Sequence, residues 1–316
     1  MNKFLRGLVA SAMVIPCLFC FTGCKKKTES KGYVEVEAIE VFEETKTALI
    51  AYNGVAENPE VKGMTFTTNG TEKFEMLVGG EKTEDCYTGS SRSITGINLE
   101  DNEMYTIDYY GGSKKINEAS YIITDDTNLY NYMYSYSPAD PEEGQLEDYT
   151  NKIYTVSSID EWENYLDESN SSSDMAIPDM TGVTDFESFK TVIEPTLDAL
   201  LSEMLSEMEV VVDDITFNYG GKEYDNGAVG LIISINIETQ IQGIPVDLYA
   251  GIEYVSQDGE LSGLNMEVSM KGESSMEGVS IKVDMSMRME MTISLSYDAS
   301  KMPSAAELET YELVND

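Results

Sequence analysis

The sequence predicts an α+β fold in which a strongly curved antiparallel sheet cups several α-helices. Three observations predict this fold class. An unbroken alternation of apolar and polar residues runs from Val279 to Tyr297, strand-like runs separated by turn signals fill residues 64–137, and a strongly amphipathic helix follows Thr184. A sheet with one apolar face needs a cover, and we expect the helices to supply it.

The first part of the chain is predicted as a helix followed by an antiparallel meander. Residues 34–52 carry an apolar helical face that includes Ile39, Phe42 and Leu49. Residues 64–137 then divide into short alternating or aromatic runs, with Asn-Gly, Gly-Gly and Asp-Asn turn signals between them. This spacing is typical of hairpin-linked strands.

The middle of the chain, residues 138–210, is predicted as an acidic loop followed by helices. Prolines and acids in 138–148 indicate a loop whose carboxylates lack an ordered calcium-ligand spacing. Capping boxes begin helices at Ser158 and Thr184. Pro195 is expected to kink the second helix, because proline removes a backbone hydrogen bond and crowds the preceding turn.

The last third, residues 211–300, has the clearest strand pattern. Alternation from Val279 to Tyr297 places ten apolar residues on one face. Methionine is frequent in this stripe and suits surfaces that accept irregular apolar shapes. We predict a ligand cavity between the stripe and the helix behind Thr184, although a closed methionine-rich core is the alternative. Its predicted lining is Met266, Met270, Met285, Met287, Met289, Met291, Ile293, Leu201, Met204 and Leu205.

Alternating tyrosines on one predicted strand form a second candidate surface. Tyr130, Tyr132, Tyr134 and Tyr136 share one face of the run. If exposed, such a stripe stacks on sugar rings; if half-buried, it is ordinary strand chemistry. We favour the half-buried arrangement.

The N-terminus has the three parts of a secretory signal, namely basic residues, an apolar run, and small residues before a cysteine. Phe21-Thr22-Gly23-Cys24 resembles the bacterial lipobox. The resemblance implies cleavage between Gly23 and Cys24 and a diacylglycerol thioether on Cys24 as the membrane anchor. Residues 1–23 are then a lipoprotein signal peptide and 24–33 a flexible basic tether. An ordinary cleaved signal and an uncleaved anchor are the alternatives.

Composition excludes more functions than it identifies. A formal charge of −38 makes the protein repel nucleic acid and anionic lipid headgroups. The chain has no histidine, which is the commonest general base and metal ligand and the usual proton acceptor for a thiol such as Cys86. It contains no phosphate loop, nucleophile elbow or metal-binding helix motif. We therefore predict that the protein is not an enzyme and has neither a cofactor nor a metal site.

An exported lipoprotein with an early helix, an antiparallel meander, central helices and long final strands resembles the LolA-like half-barrel superfamily. This superfamily includes bacterial lipoprotein carriers and mycobacterial lipid-carrying lipoproteins. The resemblance rests on element order over residues 34–300 and on the lipobox. It implies a single half-barrel-like domain that holds acyl chains between sheet and helices. This domain has three parts, 34–137, 138–210 and 211–300, and a C-terminal tail, 301–316, follows it.

Two functions from different classes follow. The first is a membrane-anchored extracytoplasmic lipoprotein that binds a lipid or another hydrophobic ligand in the methionine-rich cavity. Its anchor would lie in the outer leaflet of the cytoplasmic membrane or in the outer membrane. The alternative is a non-catalytic, surface-exposed interaction module that binds a protein or a glycan. An enclosed cavity favours the first function, and a stripe buried as core favours the second.

Overall fold

The computed structural model describes residues 32–55, 58–84, 86–109, 111, 113–139, 147–159, 177–207, 215–241, 244–276 and 279–314. The helices are α1 (Ala38–Asn53), α2 (Phe186–Glu207) and α3 (Ala305–Leu308), with a 3₁₀ turn at Ala299–Lys301. The strands are β1 (Tyr33–Val36), β2 (Gly63–Val78), β3 (Glu81–Lys82), β4 (Tyr87–Asn98), β5 (Glu103–Tyr109), β6 (Ile116–Thr124), β7 (Asn128–Ser137), β8 (Tyr149–Ser158), β9 (Phe217–Tyr224), β10 (Val229–Ile241), β11 (Ile244–Gln257), β12 (Glu260–Met276), β13 (Val279–Ser294) and β14 (Glu312–Leu313).

The pairing of β13 with β2 joins the two strand-rich parts of the chain into one sheet. Ile281–Ser294 lies antiparallel to Thr65–Val78 over fourteen aligned positions. The strand order is β1-β9-β10-β11-β12-β13-β2-β4-β5-β6-β7-β8-β14, and β3 pairs with β2. Among the described strands, only β14 lies parallel to its neighbour, β8.

The predicted α+β architecture, a strongly curved half-barrel sheet that cups several helices, is wrong. Within the part of the chain that the structure describes, strands make up 59% and helices 17%, so a single fourteen-stranded sheet dominates the fold. Strand length is the physical reason. β12 has 17 residues and spans about 55 Å, whereas the 16 residues of α1 span about 24 Å. Helices of this length cover only part of such strands.

Helix α1 begins at a capping box and packs on one face of the sheet. The backbone N–H of Glu37 donates to the Glu40 carboxylate at 3.1 Å, which satisfies one of the free groups at the helix start. Phe42 and Leu49 are buried against β9 to β12. Two details of the prediction are wrong here. The first predicted helical residues form β1, and Ile39 is 58% exposed.

Helix α2 packs against α1 through aromatic rings. Its cap is Asp185, whose carboxylate accepts a hydrogen bond from the Ser188 N–H at 2.8 Å, so the cap lies one residue after the predicted Thr184. The rings of Phe186 and Phe42 meet edge to face with centroids 5.2 Å apart. The two long helices therefore form one cover on one face of the sheet, here called the inner face.

The sheet buries a core on each face. On the inner face, α1 and α2 share an apolar cluster with residues of β2, β4 to β7 and β10 to β13. On the opposite outer face, Ile94, Ile107 and Tyr121 form a second cluster, to which Tyr297 and Met302 of the C-terminal segment add. Each face of a strand contributes every second residue, so both faces of β4 to β6 carry buried side chains.

The C-terminal segment, residues 295–314, covers the outer core. The ring of Tyr297 contacts Tyr105 at a centroid distance of 5.6 Å, and the ring of Tyr311 contacts Tyr132 at 5.5 Å. The segment ends as β14 on the edge of β8. Residues expected to form a tail are therefore part of the packed domain.

Replacing Tyr311 tests whether this segment stabilises the fold. Tyr311 is 6% exposed, so Tyr311→Ala should lower the free energy of unfolding by about 3 kcal/mol through the lost aromatic packing. Leu313→Ala is the control, since Leu313 is 50% exposed and should change stability by less than about 0.5 kcal/mol. Chemical denaturation measures both, and equal effects would contradict the packing role.

Candidate functional site

The predicted cavity residues of β13 lie in one row on the inner face, but the row crosses two environments. Met291 and Ile293 are 2% and 6% exposed and belong to the inner core. Met289 is 8% exposed. Met287, the next residue in the row, is 46% exposed. The stripe therefore leaves the closed core between Met289 and Met287.

Beyond the closed core, three strands continue with apolar side chains on the same face. Met285 of β13 lies opposite Met270 of β12 and opposite Phe74 of β2, and Met76 follows Phe74 on that face. These four side chains are half-buried, while Met287 is exposed. We call Met270, Met285, Met287, Phe74 and Met76 the methionine face.

An aromatic pair borders the methionine face. Tyr87 of β4 lies opposite Phe74, and the two rings are nearly parallel with centroids 6.0 Å apart. Tyr87 is 48% exposed, and Val279 and Val78 at the hairpin ends are 43% and 39% exposed. Exposed apolar residues that cluster in this way typically mark an interaction surface.

Glu72 is a carboxylate at the edge of this apolar surface. It lies opposite Met287 on one side and Gly89 on the other. A Cβ atom on Gly89 would lie 2.3 Å from Oε1 of Glu72, so the carboxylate lies over the glycine of β4. Partial burial there raises the pKa of Glu72. Because Gly89 has no side chain, the Glu72 carboxylate can lie over β4, on the side of β2 away from Met287.

The cavity beside Met266 is small. It has a volume of about 50 Å³ and is lined by Leu197 of α2 and by Phe217, Ile235 and Val268 of the sheet. A water molecule occupies about 30 Å³, whereas sites for small organic ligands have about 300–1,000 Å³. This cavity is a packing gap of the inner core and is too small for an acyl chain.

Several predicted residues lie where the structure gives no contacts. Leu201, Met204 and Leu205 belong to α2, but their side chains are outside the described part of the chain. Gly23 and Cys24 are also outside the described residues, as are 140–146 of the acidic loop and the predicted helix after Ser158. Helix α2 extends through Pro195.

The outer face behind the methionine face is charged. A shallow groove of about 840 Å³ crosses five strands, and its lining includes Glu238, Asp247, Lys271, Asp284 and Glu75. The register places these five residues side by side in one row. The same strands are therefore apolar on one side and charged on the other.

Ion pairs in this groove are exposed and individually weak. The Lys73 Nζ lies 2.7 Å from Asp284 and 2.8 Å from Glu75. Hydrogen bonds from Lys73 and Lys82 lower the pKa of Glu75 to about 2. Exposed pairs of this kind contribute little to stability, so their main effect is to keep this face solvated.

The tyrosine stripe is half-buried, as favoured from the sequence. Tyr132 stacks on Tyr154 with centroids 5.1 Å apart and also meets Tyr311 of the C-terminal segment. The Tyr130 hydroxyl donates to Asp125 at 3.0 Å, and that of Tyr136 to Asp148 at 2.7 Å. With its centre covered, the stripe does not form an open stacking platform for sugar rings.

Two carboxylates with raised pKa lie on the inner face of the first meander. Burial raises the pKa of both Glu72 and Asp108. They lie on β2 and β5 with β4 between them, about 16 Å apart by strand spacing and rise. Paired glycosidase carboxylates are about 5–9.5 Å apart, so Glu72 and Asp108 do not form such a pair.

Within the described ranges, no cluster of three or more cysteine, aspartate and glutamate side chains is arranged to hold a metal ion. Neither of the two long helices, as far as the structure describes them, has the apolar length needed to cross a membrane.

Cys86 is half-buried, and its thiol accepts a hydrogen bond from the Met76 N–H at 3.2 Å.

Comparison with known proteins found no matching family and no matching curated protein. Among solved structures, the attachment invasion locus protein Ail of Yersinia pestis is 4% identical, with a TM-score of 0.15 over 73% of this chain and 99% of Ail. TldE of Thermococcus kodakarensis is 9% identical, with a TM-score of 0.13 over 83% of this chain and 46% of TldE, so the chain spans less than half of that protein. Similarities this low support no inference about fold or function, and the LolA-like resemblance stays a prediction.

Sequence reasoning missed Phe74, Met76 and Tyr87 as members of this surface. Phe74 and Met76 do alternate with polar residues, which predicts one strand face. No local signal predicts that this face adjoins Met285, because β2 and β13 are separated by about two hundred residues. Only the register between β2 and β13 shows that these two apolar faces adjoin.

Alanine substitutions in β13 distinguish core from surface. Met291→Ala should lower the free energy of unfolding by about 2–5 kcal/mol, because it leaves a cavity in the inner core. Met287→Ala should cost less than about 1 kcal/mol, because its side chain is already exposed to water. Denaturant titrations measure both values, and similar losses would show that the stripe is buried throughout.

Asp108→Asn should stabilise the protein at neutral pH. Because burial raises its pKa in the folded state, the stabilisation from protonated Asp108 is present below the ordinary pKa and is lost as pH rises through the raised value. Asparagine does not titrate. The stability gain of the variant should therefore be present at about pH 7 and absent at about pH 3. A gain that does not change with pH would contradict this account.

Proposed function

We propose that this protein is an exported, lipid-anchored, non-catalytic interaction protein that binds an apolar segment of another protein on its methionine face. The observation that carries the proposal is the exposure of Met287 beside half-buried Met285, Met270 and Phe74. Methionine side chains are flexible and polarizable, so such a surface adapts to partners of different shape. This is the interaction-module alternative, with an apolar docking surface in place of the tyrosine stripe.

The open geometry favours a protein segment over a single acyl chain. A chain of about 16 carbons on an open surface leaves about half of its area in water and gains about 6 kcal/mol. Association costs about 4–15 kcal/mol, so little net affinity remains. An amphipathic segment has a polar back that stays in water and several apolar side chains that fill the face together.

Charge favours a partner with basic residues around its apolar side chains. The chain carries a formal charge of −38, and Glu72 lies beside Met287 at the edge of the face. Opposite charges at the rim of an interface speed association and fix orientation more than they add affinity. We therefore expect the association rate to fall as salt is raised.

The anchor keeps the domain close to the membrane. Under this proposal Cys24 is acylated, the protein faces outward from the cytoplasm, and a tether through Gly32 precedes β1. Nine residues reach at most about 30 Å when extended. The start of β1 then lies within about 30 Å of the membrane, so the partner is a membrane-bound or envelope protein that the domain reaches from there.

Site-specific photo-crosslinking tests the docking surface. A photoreactive residue at position 287 should give a discrete protein adduct in intact cells, whereas one at position 286 should not, because Ser286 lies on the outer face opposite Lys73. Phe74→Lys should abolish the adduct from position 287, since it places a charge in the apolar face. Equal adducts from both positions, or an adduct that survives Phe74→Lys, would refute docking there.

Native mass spectrometry with lipid extraction tests the carrier function against this proposal. We expect no stoichiometric lipid on the domain other than the anchor on Cys24. A co-purified lipid that is lost in Met287→Lys would overturn the proposal in favour of a carrier. Met289→Glu is unsuitable for this test, because Met289 is 8% exposed and a buried charge would unfold the protein.

A further inference from the structure

We propose that Met287 is the preferred oxidation site among the methionines of β13, at which conversion to the sulfoxide by a peroxide switches the methionine face from apolar to polar. The assignment of the site depends only on exposure, whereas the consequence for binding rests on the proposed function. The sequence has eighteen methionines, and one row of β13 carries four of them in succession. These four side chains differ in their exposure to solvent.

The exposed fraction of the methionine side chains rises along β13 from Met291 in the closed core to Met287 at the surface. Met291 is 2% exposed, Met289 is 8% exposed, Met287 is 46% exposed, and Met285 is half-buried. All four side chains lie on the same face of β13, because they are two residues apart. A small oxidant therefore reaches Met287 in the folded protein, whereas it reaches Met291 only after local opening of the inner core.

The contacts around Met287 keep its side chain accessible. Its cross-strand neighbours are Val268 on β12 and Glu72 on β2. Val268 is a short side chain, and the Glu72 carboxylate lies over Gly89 on the far side of β2. With Met287 46% exposed, these neighbours leave much of its side chain open to solvent.

The reaction balances without a cofactor. The thioether sulfur of Met287 attacks one oxygen of hydrogen peroxide, the O–O bond breaks, a sulfur–oxygen bond forms, and water leaves after proton transfer. Sulfur loses two electrons and the peroxide gains them. The product is a polar, chiral sulfoxide on the methionine face, where it must be desolvated before an apolar partner can dock.

Peptide mapping after peroxide treatment tests the site. Intact cells that express the full acylated protein are treated with hydrogen peroxide, and the sulfoxide fraction at each methionine is measured by mass spectrometry. We expect Met287 to oxidise about tenfold faster than Met291, with Met285 between them. Treatment of the urea-unfolded protein is the control, and there the rates should converge. Equal rates for Met287 and Met291 in the folded protein would overturn the assignment.

Crosslinking from position 74 tests the consequence. Peroxide should reduce the crosslinking yield at least about fivefold in the parent protein, and Met287→Leu should make the yield insensitive to peroxide. Met291→Leu is the matched variant, and its yield should remain peroxide-sensitive. A yield that survives complete oxidation of Met287 overturns the switch but leaves docking intact. An absent adduct before any oxidation overturns the docking surface itself, while the oxidation map still decides the site.

Discussion

The pairing of β13 with β2 is the constraint on which the rest of the structure depends. Fourteen aligned positions join strands that are about two hundred residues apart in the chain, and the remaining strands follow on either side of this pair in the sheet. The register of the pair determines which side chains share a face. Met285 adjoins Phe74, and Asp284 adjoins Glu75, because the register aligns them. A slip by one residue would exchange the apolar and charged faces of the whole region.

The two faces of these strands have opposite physical chemistry for the same reason. Period-two alternation in β13 places methionines on the inner face and Asp284, Ser286 and Arg288 on the outer face. Near α1 the inner face is covered and contributes hydrophobic stabilisation to the inner core. Farther along, the same pattern continues to Met287, which is 46% exposed, and to half-buried Met285. The methionine face is thus the part of the apolar stripe that lies beyond the closed inner core.

The strand pattern could be predicted from the sequence, but the architecture could not. Alternation correctly placed β13 and its apolar face, and the tyrosine pattern correctly predicted a half-buried stripe. Asn69-Gly70 looked like a hairpin turn, yet it lies inside β2, where Gly70 pairs with both β13 and β4. Local signals report local preference, whereas the partner of a strand is decided by burial over the whole chain.

The candidate site shows the same limit. The predicted lining combined residues that the structure separates into core and surface, and alternation alone does not tell Met291, which is 2% exposed, from Met287, which is 46% exposed. Cys24 and Gly23 rest on the lipobox resemblance alone. The sequence pattern predicts which residues of β13 share one face. Only the fold shows that this face becomes exposed at Met287.

The position of the C-terminal segment bears on the order in which the chain can acquire its structure. Tyr297 and Tyr311 complete the outer core, yet they are synthesised long after Tyr105 and Tyr132, which they cover. Until they arrive, the outer face of the first meander presents Tyr105 and Tyr132 without their cover. The outer core therefore cannot close before residues 297–311 are available, and contacts between such distant parts of the chain slow folding and prolong the exposure of an incomplete sheet.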